Sequence, residues 1–263
     1  MLDDIIRHKR AEIAEAKRTR PLEKLEAEAE SQSAARGFAD ALRSPGVSLI
    51  AEIKRASPSK GDFAPDLCAK ATAETYARCG ASALSVLTDR RFFRGGLDDL
   101  REARGALERI GRSIPILRKD FLLDPYQIVE SRAAGADAVL LIVRILSDDE
   151  IATFHRAADA LGMDALVEVC DEKDIARIEV LAPPLVGINQ RNLSDFSVDR
   201  STFARLRRLL PDETLVVAAS GIRTADDVAD VAHAHADAIL VGEALVTAND
   251  HCRKVQELTG GTA

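Results

Sequence analysis

The sequence predicts an α/β protein, a single (β/α)8 barrel preceded by a helical extension, and three observations carry the prediction. Eight short apolar runs rich in β-branched residues follow one another between Val47 and Gly242, with a segment of helical period between each and the next. The runs are nearly continuous in apolarity, as strands are when helices cover both faces of a parallel sheet. Eight such alternations in about 200 residues suit a closed barrel. A doubly wound sheet would show fewer units and a glycine-rich first turn, and the chain has no G-x-G-x-x-G.

Residues 1–46 form the predicted extension, and 47–263 the barrel. Asp3 or Asp4 stands near a helix start, and Ile5, Ile6, Ile13 and Ala16 approximate one apolar stripe. Pro21 breaks this helix, LEKLEAEAE restarts one with a charged face, and SQSAARG and RSPG have loop chemistry. The predicted strands are VSLIAEI (47–53), SALSVLT (82–88), IPILRK (114–119), DAVLLIV (137–143), DALVEV (164–169), PLVGIN (184–189), TLVVAA (214–219) and DAILVG (237–242). A weak internal echo supports the repeat: GASALSV, GADAVLLI and HADAILVG each close a helix and open a strand. Gly80 and Gly135 stand where a helix end favours a left-handed residue, and His235 takes that place in the third copy.

A chain of 263 residues, 46% hydrophobic, can bury a large core. Its net charge of −7 argues against nucleic acid or an anionic membrane as main partner. Cys68, Cys79, Cys170 and Cys252 make no C-x-x-C pair, so they are expected to be reduced, packing thiols. The charged N-terminus lacks an apolar signal segment, and no apolar run approaches the roughly 18 residues of a membrane span. The expected location is cytoplasmic.

Barrel chemistry gathers at strand C-terminal ends. In LIAEIKRASPSKG the first strand delivers Glu52 and Lys54, two apart and so on one face, then Ser57 in a turn suited to an anion. The third strand ends with Lys119, the fifth carries Glu168, and the sixth ends with Asn189 and then Arg191. Each alone reads as a surface charge or a turn residue. Their convergence on one end gives two lysines and two carboxylates that perturb each other, as acid–base catalysis requires. After the seventh and eighth strands, Ser220-Gly221 and Gly242 put backbone N–H groups where barrels often bind phosphate.

AEIKRASPSKG, LSVLTD-x-x-FFRGG, PILRKDFLLDPYQI, ALVEV, VGINQRNL and ASGI, in this order, resemble the indole-3-glycerol-phosphate synthase family of tryptophan biosynthesis. The resemblance runs from about residue 30 to the C-terminus, and the leading helix suits the family's extension. It implies a carboxy-lyase of the TIM-barrel class with no cofactor and no metal. The implied substrate is 1-(2-carboxyphenylamino)-1-deoxyribulose 5-phosphate, closed, decarboxylated and dehydrated to indole-3-glycerol phosphate. It also implies roles: Lys119 as general acid, Glu168 as base, Lys54 on the substrate carboxylate, and Glu52 orienting Lys54 or the substrate. Asn189 and Arg191 would hold the substrate, Phe93 with Phe92 beside it would wall its ring, and Ser57, Ser220, Gly221 and Gly242 would take the phosphate.

Three positions depart from or strain the pattern. The family's seventh strand ends Glu-Ser-Gly-Ile, but here Ala219 stands in the glutamate's place. Gln190 replaces a usual Asn or Ser, and Glu243 must turn its side chain away from a phosphate. The alternatives are a phosphate-binding aldolase using Lys54 or Lys119 as a Schiff base, and a slowed or non-catalytic relative that still binds the ligand. The expected partner is the small phosphorylated substrate, with the chain a monomer or weak homo-oligomer.

Overall fold

A computed structural model describes residues 2–58, 60–192 and 197–260. Eight parallel strands close into a barrel: β1 (Ser48–Ile53), β2 (Ala83–Leu87), β3 (Ile116–Lys119), β4 (Ala138–Ile142), β5 (Asp164–Val169), β6 (Leu185–Asn189), β7 (Leu215–Ala219) and β8 (Ala238–Val241). Each pairs with the next, and β8 pairs with β1. Every predicted strand is present, one or two residues shorter than the apolar run in most cases. The third begins at Ile116 because Pro115 has no N–H to give the ladder; its carbonyl still accepts from Leu84 N at 2.9 Å.

The helices that follow the strands are capped as the sequence permits. Ser147 with Glu150, and Thr224 with Asp227, form capping boxes, and Asp124, Asp171 and Asp250 each accept a first-turn N–H. The internal echo has a structural meaning. Gly80, Gly135 and His235 all take the left-handed conformation, with φ of 112°, 90° and 63°. Two residues after the turn, the carboxylates of Asp137 and Asp237 each accept an N–H from the start of the preceding strand, that of Ile116 in β3 and of Val216 in β7, at 2.7 Å. The repeated aspartate therefore closes the bottom of the ladder.

The N-terminal segment forms three helices, α1 (Leu2–Thr19), α2 (Leu22–Glu30) and α3 (Phe38–Ala41), the last of which the sequence did not signal. It runs the height of the barrel. Ile5 of α1 joins the interior apolar cluster near Phe121, at the strand C-terminal end. α2 packs Leu25 and Ala29 against Tyr126 and Ala133 of the helix after β3. α3 seals the other end: Phe38 and Leu42 plug the interior, and Asp164, opening β5, accepts from Phe38 N (2.7 Å) and Ala39 N (3.0 Å).

The expectation of reduced thiols fails for one pair. Cys79, ending the helix Ala69–Cys79, is disulfide-bonded to Cys252 in the last helix, His251–Thr259, across a sequence separation of 173. Barrel closure sets the first and last helices of the ring side by side, with these Cα atoms 5.3 Å apart. Spacing along the chain does not reveal that neighbourhood. Cys68 and Cys170 are free thiols.

Candidate active site

The strand register defines the site. Walking from Glu52 through the hydrogen-bonded partners and rising two residues at every second strand leads to Lys119, then Glu168, then Ala219, and back to Glu52. Two residues at each of four steps is a shear of eight, so these four side chains, from the odd strands, form one layer of the interior. The layer beneath, from the even strands, is Ser85, Leu140, Gly187 and Leu240; the layer above is Leu87, Ile142, Asn189 and Gly242. Below, the interior is apolar but for Ser85; it becomes charged at the layer of Glu52, Lys119 and Glu168, where it opens.

That opening is a cavity of about 380 Å³. Glu52, Lys54, Ser57, Phe93, Lys119, Glu168, Asn189, Arg191, Ser220, Gly221 and Gly242, all singled out in the sequence, line it. Ala219 lines it too. Glu52 is 3% exposed, and its Oε1 lies 2.7 Å from the Lys54 ammonium. Gly242 makes room for that carboxylate: a Cβ there would lie 2.3 Å from Glu52 Oε1. The Lys119 ammonium lies 3.4 Å from Glu168 Oε2, and Asn189 Nδ2 donates to Glu168 Oε1 at 3.1 Å. Asn189 Oδ1 in turn accepts from Arg191 N at 3.0 Å. Burial alone would lower the Lys119 ammonium, but the charges of Glu168 and Glu52 and the hydrogen bond to Glu168 outweigh it and hold Lys119 above the ordinary lysine range. The lysine is therefore a charged, partnered donor facing the cavity.

The far wall suits an anion. Ser220 and Gly221 are both left-handed, with φ of 68° and 79°. Gln190, the substitution beside Asn189, donates from Nε2 to Ser220 O at 2.7 Å and so braces the strained turn. Arg191, Arg200 and Arg223 line the same side. Glu243 lines it as well, but its carboxylate is engaged by Lys60 and by Arg223 Nη2 at 3.1 Å. Burial would raise the Glu243 carboxyl; the Lys60 hydrogen bond and charge, with Arg223, hold it below its usual value.

Phe93 lines the cavity 6.2 Å from the ring of Phe121, whereas Phe92 does not line it and meets the edge of His8 on α1 at 5.9 Å. Sequence reasoning missed Phe121, although it follows Lys119-Asp120, and missed that Leu2 and Ile5 of the extension cover the mouth. The apolar stripe of α1 was the available signal.

Comparison with known proteins agrees with this geometry. A family model described as indole-3-glycerol phosphate synthase matches residues 2–258. The indole-3-glycerol phosphate synthase of Roseiflexus sp. (strain RS-1) is 46% identical over 266 residues, covering 100% of this chain and 99% of its own. That of Nocardioides sp. (strain ATCC BAA-499 / JS614) is 46% identical over 260 residues, covering 99% and 98%. Among solved structures, 3-hexulose-6-phosphate synthase from Salmonella typhimurium superposes with a TM-score of 0.63 at 16% identity, over 81% of this chain and 97% of its own, a likeness of fold alone. With the motifs in order on one barrel mouth and near full-length identity to these relatives, the chain belongs to the indole-3-glycerol phosphate synthase family, carboxy-lyases of tryptophan biosynthesis.

Proposed function

We propose that this chain converts 1-(2-carboxyphenylamino)-1-deoxyribulose 5-phosphate to indole-3-glycerol phosphate, CO2 and water, and that its charged layer carries the chemistry. The observation that supports this most is the Lys119–Glu168–Asn189 chain of contacts, one donor and one acceptor held side by side at the cavity floor. Ring closure requires the aromatic carbon bearing the carboxylate to attack the ketone while the ketone oxygen gains a proton. Lys119 supplies that proton as general acid. The bond to the carboxylate then breaks, its electron pair restores the aromatic ring, and CO2 leaves. The carboxylate enters charged and departs neutral, so one proton is taken up from solvent in each turnover. Dehydration follows: the new hydroxyl leaves as water after protonation, and Glu168 removes the compensating proton from the ring being formed.

Lys54, steadied by Glu52 at 2.7 Å, pairs with the substrate carboxylate. Asn189 orients Glu168, and Arg191 holds the substrate beside it. Phe93 and Phe121 wall the ring. Ser57, Ser220, Gly221 and Gly242 take the phosphate, with the basic wall of Arg191, Arg200 and Arg223 favouring it. The same reading makes residues 1–46 a helical extension of a catalytic barrel spanning 47–263. It makes the protein cytoplasmic and a monomer or weak homo-oligomer without a nucleic-acid partner, in keeping with its net charge of −7. Among the described residues no helix is long and apolar enough to cross a membrane.

The test is formation of indoleglycerol phosphate, followed by fluorescence, with Lys119→Ala as control. Ala219 motivates a second reading, a relative that binds the phosphorylated ligand without turnover. Binding by folded protein with no product above the Lys119→Ala background would establish it over the first.

A further inference from the structure

Leu2, Ile5 and Lys9 share one face of α1, at steps of three and four residues. Leu2 and Ile5 line the active-site cavity. Lys9, one turn further on, is only 3% exposed. Its ammonium lies 2.7 Å from Glu12 Oε2 on its own helix, 3.0 Å from Asp89 Oδ2 and 2.9 Å from Asp120 Oδ1. Buried lysines occur where their charge is matched, and here two of the matching carboxylates belong to the barrel.

Each of those two is one step from the proposed chemistry. Asp120 follows Lys119 directly and lines the cavity. Its Oδ1 also accepts from Phe121 N at 2.8 Å, and its Oδ2 is held by Thr88 Oγ1 at 2.6 Å and Arg118 Nη2 at 3.1 Å. Asp89 caps the turn Arg90–Phe93, accepting from Phe92 N at 2.7 Å, while its carbonyl accepts from Gly95 N at 2.9 Å. Arg118 pairs with Asp120 and with Glu130, at 2.9 Å, and among the described residues Lys9 is the cation that pairs with Asp89.

We propose that Lys9 is a positioning residue for catalysis: by drawing Asp89 and Asp120 together beneath α1 it fixes the Leu2–Ile5 cover, the Phe93 turn and the segment carrying Lys119 as one unit. The proposal rests on the reading of Lys119 given above. Burial would lower the Lys9 ammonium, but Asp120, Asp89 and Glu12 outweigh it and hold Lys9 above the ordinary lysine range, so its charge persists at any working pH. Without that charge, Asp89 would lose its ion pair while buried beside an Asp120 held by Arg118 alone. α1 would lift, Leu2 and Ile5 would leave the mouth, and water would reach the reacting centre. The phosphate-binding turns after β7 and β8, with Ser220, Gly221 and Gly242, lie away from this cluster, while Ser57 lies beside the Arg90–Phe93 turn. The loss therefore falls mainly on turnover, with a small effect on substrate capture.

The test compares the full chain with Lys9→Met and Asp89→Asn, by steady-state kinetics and by amide hydrogen exchange well below each unfolding temperature. Lys9→Met is expected to lower kcat roughly ten- to a hundredfold and to leave KM within about threefold. Exchange should accelerate in residues 2–19 and 89–95 while the barrel strands keep their protection. Asp89→Asn keeps an acceptor for Phe92 N and removes only the charge facing Lys9, so it carries the test if Lys9→Met does not fold. It should show the same exchange pattern, with a smaller fall in kcat. Unchanged kcat in the folded variants overturns the proposal, as does faster exchange spread evenly over the barrel, which marks a structural role only. If the unmodified chain makes no product, the Lys119 reading fails by itself, while local exchange in α1 still reports whether Lys9 clamps the helix.

Discussion

The Lys119 ammonium stands 3.4 Å from Glu168 Oε2, although β3 and β5 are not neighbours in the sheet. The contact exists because alternate strands of a barrel with a shear of eight bring their side chains into one layer. Glu52 completes the charged part of that layer, and Ala219 is its fourth member. Both lysines of the floor have a carboxylate at hand, Lys54 with Glu52 and Lys119 with Glu168.

Lys119→Met, which keeps length but removes the proton, is expected to cut kcat by roughly two to four decades. Binding of a phosphorylated substrate analogue should change little, because the proposed phosphate site lies on the opposite wall. Single-turnover product formation and a titration of the analogue separate the two; equal losses in both would assign Lys119 to binding.

The raised pKa of Lys119 fixes a sign. Its protonated form is stabilised in the folded chain, so that contribution to stability is fully present below the unfolded value of about 10.4. It is lost as the pH rises through the higher folded value. The catalytic acid should accordingly stay protonated, and kcat/KM should show no alkaline fall from this group up to about pH 10. An alkaline limb centred near neutrality in a pH–rate profile would exclude Lys119 as the acid.

Ala219→Glu restores a carboxylate to the charged layer. A hydrogen bond to a charged partner is worth roughly 1.5–3 kcal/mol, so turnover should rise by about one to two decades if the bond acts in the transition state. Steady-state rates of the variant decide this. A rate equal to or below the original would mean that the two existing ion pairs already balance the site.

Gly242→Ala tests the packing beneath Lys54. The added methyl would meet Glu52 Oε1 at 2.3 Å, forcing the carboxylate aside and its lysine with it. A fall in kcat/KM of roughly tenfold or more is expected from the displacement, with the far-ultraviolet circular dichroism unchanged. Full activity would show that Glu52 has another place to go.

The disulfide between the first and last helices closes a loop of well over 100 residues, for which chain-entropy arguments and measured losses give about 2–5 kcal/mol. Cys252→Ser, or reduction, should lower the melting temperature by roughly 5–10 °C and leave kcat near its original value. A scanning calorimetry trace that reductant does not move would contradict this.

The sequence by itself determined the barrel, because strand and helix periods are local properties of the chain and all eight runs carry them. It also determined the ring of candidate residues, because the chemistry of such barrels is confined to strand ends that apolar runs locate. Short pieces such as Phe38–Ala41 escaped it, being set by Asp164 far along the chain and not by their own residues. Pairings across the barrel lay beyond it as well. That Lys119 meets Glu168, that Gly242 yields space to Glu52, that Cys79 reaches Cys252 and that Lys9 joins Asp89 to Asp120 are all decided by tertiary structure. The physical reason is common to them: closure and stagger of the sheet bring together side chains whose separation in sequence carries no trace of their distance in space.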